Sequence, residues 1–261
     1  MTRLAATLVL LCAPEAHSSG LDLAAPRKDA TPVDQLAISG NACGPAALLN
    51  ALSFGAPRWR TVAEGLPGDT TRARMSYVIR AHGLQPSGHV GDRLRWHRRQ
   101  GINLLDLCDI GNELCAGRIL PKLTHEVLLR NEGESGRDLL ERTHSRLRKS
   151  LKKGLPPVVS LRRLARPSDW SRDKPPAWRI VGGHFVVLIG MPAKLRKHAA
   201  SFPIRYVDPW GGRVLEGAVR LDPHSGFPSL TAHVPSSRVG TAKVAEGETS
   251  LVSLSAALGA F

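Results

Sequence analysis

The feature that most constrains the fold is a change of hydrophobic period at Gly154. Before it, apolar residues recur at helical spacing; after it come short β-branched runs broken by turn residues. "SGRDLLERTHSRLRKSLKKG" closes the helical half. Ser135 and Asp138 form a capping-box-like start, Leu139, Leu140, Leu147 and Leu151 supply one face, and Lys152 and Lys153 sit at the negative end of the dipole. "PPVVSLRRL", "HFVVLIGM", "IRYVDPWGG" and "RVLEGAVRL" follow as strands with short connections. Helices followed by strands predict an α+β fold, a helical N-terminal half packed on an antiparallel sheet from the C-terminal half.

Further helices are expected over Cys43 to Phe54, from Asp69 or Thr70 to Gly83, and from Asn103 through Cys108 and Cys115. The Pro-bearing segment from Ala165 to Gly183 is long for a connection inside a compact domain and is expected to border a cleft. At the N-terminus, Arg3, the apolar run "LAATLVLLCA" and the small or polar "PEAHSSG" have the order of a signal peptide. It would be cleaved near Ala16 to Ser19, and it implies export to a secreted or periplasmic location. Ten apolar residues fall short of the roughly 20 needed to span a bilayer, so no transmembrane segment is expected. The division is a signal peptide at 1–18, a main domain at 19–235 and a tail of unassigned role at 236–261.

The formal charge is +14, from 36 Lys and Arg against 22 Asp and Glu. The basic residues are scattered and no zinc-finger or RNA-binding signature accompanies them, so no nucleic-acid partner is expected. The ten histidines show no ligand spacing and no Cys-x-x-Cys occurs, which leaves neither metal nor cofactor expected. On a continuous helix Cys108 and Cys115 would stand about 10 Å apart along the axis. A disulfide needs Cα atoms within about 7 Å, so two half-buried thiols are expected.

The chemistry concentrates in "SGNACGPAALLNALSFG". Asn41 is placed to cap a helix, Pro45 suits its first turn, and Cys43 stands at the positive end of the dipole, which favours thiolate. Gly44 removes a side chain beside the sulfur, where a substrate backbone could approach. A thiol nucleophile needs a base and the base an orienter. His184 opens an apolar strand 141 residues downstream of Cys43, and Asp208 ends the next one, where its carboxylate can fix the imidazole tautomer.

"NACGPAALLNAL", "GGHFVVLIG" and "IRYVDPWGG" resemble the three motif blocks of papain-like cysteine peptidases, and most of all the branch similar to bacteriocin-processing, double-glycine-leader peptidases. The resemblance covers three short blocks. It implies a papain-like fold, a peptide or protein substrate, Cys43 as nucleophile, His184 as base and acid, and Asp208 as orienter. It also implies that Trp210 shields the His–Asp hydrogen bond from water. The family's oxyanion glutamine would fall near position 37, which is Ala; Gln35 is the nearest candidate, with Asn41 the alternative. The expected activity is hydrolysis of peptide bonds through an acyl-enzyme. Acyl transfer, amidase or deamidase action on the same triad, or a silent binding domain, are the rival readings.

Overall fold

The computed structural model describes residues 20–168, 178–222, 228–234 and 239–261. The expected signal peptide lies outside them. So do residues 169–177 of the Pro-rich connection, whose flanks extend β5 and β6 beyond the expected strands.

The first half carries five helices: α1 (Cys43–Ser53), α2 (Pro57–Glu64), α3 (Thr71–Val78, continued by a π-helical turn to Gly83), α4 (Leu104–Leu114) and α5 (Gly136–Lys152). Three small strand pieces fall among them or before them: β1 (Leu23–Ala24), β2 (Trp96–His97) and β3 (Gly101–Ile102). β4 (Thr124–Val127) precedes α5. The second half supplies β5 (Val158–Pro167), β6 (Arg179–Met191), β7 (Ser201–Asp208), β8 (Arg213–Arg220), β9 (Leu230–His233) and β10 (Glu248–Gly259).

These last six strands pair in the order β6-β5-β10-β9-β8-β7, and β7 returns to β6. The sheet is therefore a closed, six-stranded antiparallel barrel, and the expectation of a helical half packed on a sheet in the papain-like manner is overturned. The physical reason lies at the C-terminus. β10, from the segment that reads as a tail, pairs with β5 from Glu248 to Leu258 along one edge, and with β9 and then β4 along the other. It closes the gap an open sheet would leave, and closure removes the free edges of the ring.

The helices lie outside the barrel. α1 is buried from Cys43 to Leu52, as a helix apolar on all sides must be. Its one buried side-chain amide is paired at both ends: Val33 N–H donates to Asn50 Oδ1 at 2.7 Å, and Asn50 Nδ2 donates to the Val33 carbonyl at 3.2 Å. α5 has the capping box of Ser135 and Asp138 and buries the leucine face read from its sequence. α4 runs unbroken through Gly111, so Cys108 and Cys115 remain separate, free thiols. No helix among the described residues is long and apolar enough to cross a membrane.

Candidate active site

Cys43 is the first residue of α1, with Ala42 as a cap that offers no side-chain bond. Asn41, expected there, instead donates its amide to the Arg98 carbonyl at 2.9 Å, while its own carbonyl accepts from Trp96 Nε1 at 3.0 Å. The N–H groups of a first helical turn have no acceptor within the helix, so α1 presents its donors and its positive end beside the sulfur. Gly44 does not open the site. A Cβ there would run into Ile102 Cγ2, and Leu107 and Phe185 lie at 3.6 Å. The glycine lets β3 and α4 close against the start of α1.

β6 and β7 deliver the other two groups. Val187 pairs with Val207, so one register step beyond that pair Asp208 comes alongside the segment carrying His184. His184 Nε2 stands 2.7 Å from Asp208 Oδ1, and the same oxygen accepts the Trp210 N–H at 2.8 Å. That leaves His184 Nδ1 for the thiol, with which the ring interacts electrostatically. Cys43, His184 and Asp208 are 9 %, 8 % and 1 % exposed, so the three residues singled out in sequence are brought together in a nearly dry setting.

Electrostatics separates Cys43 from the other thiols. Burial pushes Cys108 and Cys115 each up to about 11. Burial also opposes a thiolate at Cys43, but the His184 ring and its charge, with backbone N–H groups of Phe185 and Gly44, outweigh it and bring the thiol below its ordinary value. For His184 burial favours the neutral ring, yet Asp208 and Cys43 raise it to about 9. The pair is thus built to rest as thiolate and imidazolium.

The turn after β7 positions Trp210. Gly211 and Gly212 take positive φ values of 80° and 57°, a conformation that favours glycine. Asp34 Oδ1 accepts from Gly211 N–H at 3.0 Å, and the Gln35 N–H donates to the Pro209 carbonyl at 2.9 Å. The half-exposed indole lies over Gly40, where a Cβ would be 3.6 Å from the ring. Gln35 is fully buried, and its Nε2 donates to the Gly40 carbonyl at 2.5 Å. It therefore shapes the loop beneath Trp210 and does not line the cleft, whereas the exposed Asn41 lines it and keeps a second amide N–H beyond the one given to Arg98. The main-chain donors at the sulfur are the N–H groups of Gly44 and Phe185. Asp34, Phe185 and Ile102 carried no signal in the sequence, because their contributions are a turn anchor, a backbone N–H and a packing contact.

The triad opens onto a cleft of about 1110 Å³ between the residue 40–41 and 99–105 segments and the face shared by β4, β10, β5 and β6. Away from it, His89, Asp106 and Asp109 bring potential ligand atoms within 4.8 Å of one another, a grouping absent from the linear spacing. His89 Nε2 meets Asp109 Oδ2 at 2.7 Å and Ser87 Oγ donates to Asp106 Oδ2 at 2.7 Å, so these groups already fasten the 86–94 loop to α4.

A scan against protein-family models, a search of curated proteins and a search of solved structures each found no match for the chain.

Proposed function

We propose that the protein is a cysteine hydrolase that cleaves peptide bonds through Cys43, His184 and Asp208. The observation that carries the reading is the contrast between three buried thiols: two are raised to about 11, while the one at a helix start beside a carboxylate-held imidazole is lowered. Nothing structural requires that arrangement, and nucleophilic catalysis does. The resemblance of the three motif blocks to papain-like cysteine peptidases supports the same chemistry, although the barrel is not the architecture that the resemblance implied.

In this mechanism the Cys43 thiolate attacks the scissile carbonyl carbon, and the oxyanion forms against the Cys43 N–H at the positive end of α1. As the C–N bond breaks, the His184 imidazolium gives its Nδ1 proton to the leaving amine, producing a thioester and a neutral ring. His184 then takes a proton from water, hydroxide adds to the thioester carbonyl, and the C–S bond breaks to return thiolate and release the acid. The proton held at His184 restores the resting pair. Asp208 keeps Nε2–H engaged throughout, so Nδ1 always faces the sulfur.

One observation favours a catalytically silent binding domain: Gln35, the glutamine nearest the proposed nucleophile, is buried with its amide on the Gly40 carbonyl and does not line the cleft. Incubating the full chain with a peptide mixture and reading products by mass spectrometry separates the two. New termini with wild type and none with Cys43→Ala support hydrolysis. Identical product lists from both proteins would sink it. Products that incorporate an added amine would identify acyl transfer on the same triad.

A further inference from the structure

The cleft carries a charge that the proposed chemistry does not use. Its described lining includes Arg99, Arg162 and Lys243, with His125 on β4, against a single carboxylate, Asp208. Asp208 is buried and engaged by His184. Several arginines elsewhere are matched by carboxylates: Arg95 with Glu113, Arg137 with Glu141, Arg142 with Glu126 and Glu134, Arg179 with Glu248, and Arg205 with Glu216. The Arg162 guanidinium has no such partner among the described residues.

Its place in the barrel is specific. Across β5 and β6 Arg162 stands opposite Gly183, the residue before His184; across β5 and β10 it stands opposite Ser253. Paired strands lie about 4.8 Å apart, which puts the base of this side chain one register step from the proposed general base. Gly183 leaves the space opposite open, since a Cβ there would meet only the Leu161 carbonyl at 4.0 Å. Ser160, on the same face two residues before Arg162, and Ser253 are small and hydroxylic, and both line the cleft. An arginine fork in a notch of glycine and serine matches the planar, two-oxygen geometry of a carboxylate. Val127, Leu129 and Ile180 continue the same wall as exposed apolar residues, suited to the neighbouring side chains of an extended peptide.

We infer that this cleft selects acidic peptides, with an Asp or Glu side chain next to the reacting bond docked on Arg162 beside Gly183, Ser160 and Ser253. The inference rests on the peptide-hydrolase reading for its substrate class, so its test is one of binding rather than of turnover. Fluorescein-labelled peptide libraries, blocked at both ends, carry Glu, Gln or Lys at a fixed central position with randomised flanks. They are bound to immobilised full-length Cys43→Ala protein, with and without Arg162→Gln. A further Gln library has a free C-terminal carboxylate. Arg72→Gln removes the same charge from an exposed site on α3 outside the cleft.

The Glu library is expected to be retained about tenfold more strongly than the Gln library, as a charge-assisted hydrogen bond to arginine provides. The Lys library should be retained least. Arg162→Gln should erase the Glu preference and Arg72→Gln should leave it unchanged. Equal retention of Glu and Gln, or a preference that survives Arg162→Gln, would overturn the inference. Preference for the free C-terminus alone would overturn it as well, by assigning the subsite to a chain end. Because Cys43 is absent from the binding protein, a failed preference leaves the hydrolase reading standing, and a failed hydrolysis assay leaves the preference measurable.

Discussion

His184 and Asp208 meet at 2.7 Å through the far ring nitrogen, so the carboxylate fixes which nitrogen faces Cys43. The contact joins two barrel strands inside a nearly dry pocket, and the Trp210 N–H shares its acceptor oxygen. One hydrogen bond thereby sets the tautomer, the ring orientation and the charge of the proposed base.

Replacing Asp208 therefore tests more than packing. In Asp208→Ala the imidazolium loses the partner that opposes its burial, so its titration falls from about 9. Proton NMR of the His184 ring follows that shift directly. Turnover of any substrate found by the peptide assay should drop about 10²- to 10⁴-fold. Asp208→Asn keeps an acceptor oxygen but not the charge, and should fall between wild type and Asp208→Ala on both readouts.

The pH profile follows from the two shifts. Thiolate and imidazolium coexist above the lowered Cys43 value and below the raised His184 value of about 9. The profile of kcat/KM should rise on the acid side at a pH below that of an ordinary thiol. It should fall near 9, where a neutral His184 can no longer protonate the leaving amine. A profile that follows a single ordinary thiol ionisation, with no alkaline limb, would contradict the pair.

Gly44→Ala should destabilise the fold by about 1–3 kcal/mol through overpacking, because Ile102 occupies the space a Cβ would need. Thermal unfolding of Gly44→Ala, alone and with Ile102→Ala, measures it. The second change should recover part of the loss. No loss in the single variant would mean that the start of α1 is looser than its contacts indicate.

Truncation after Gly247 should abolish the barrel, since β10 is the strand between β5 and β9. Circular dichroism of the truncated chain is expected to lack the native sheet signal and a cooperative melt. A cooperative melt with retained sheet would show that the other strands close without it.

β10 also shows where sequence reading ran out. Its residues "ETSLVSLSAALG" lack strict alternation, because the strand is paired on both edges and buried through Val252, Ser253 and Leu254 to the small residues at its end. Ser and Ala fill positions where a half-exposed strand would carry Val or Ile, so the period-2 signal never appears. Closure of the sheet was illegible for that reason, and with it the barrel.

The grouping of Cys43, His184 and Asp208 left local marks in the sequence. Cys43 begins α1 before Gly-Pro and Asp208 ends β7 before Pro-Trp-Gly-Gly, while His184, expected to open a strand, lies inside β6 and is marked only by the apolar run after it. Spacing to a family motif was a poorer guide to the oxyanion donor. Gln35 is close to Cys43 in sequence, yet its amide is drawn to the Gly40 carbonyl. Arg162 was hidden among many scattered arginines; only the barrel register, which sets it opposite Gly183 and Ser253 in the cleft wall, sets it apart.

The most direct test of the account is the rate at which iodoacetamide alkylates each cysteine at about pH 6, where an ordinary thiol is almost wholly protonated. Peptide mass spectrometry reads Cys43, Cys108 and Cys115 separately in wild type and in His184→Ala. The account predicts rapid, selective labelling of Cys43 that is lost in the variant, with Cys108 and Cys115 slow in both. Equal, slow labelling of all three, or Cys43 labelling untouched by loss of His184, would contradict a histidine-stabilised thiolate and with it the proposed activity.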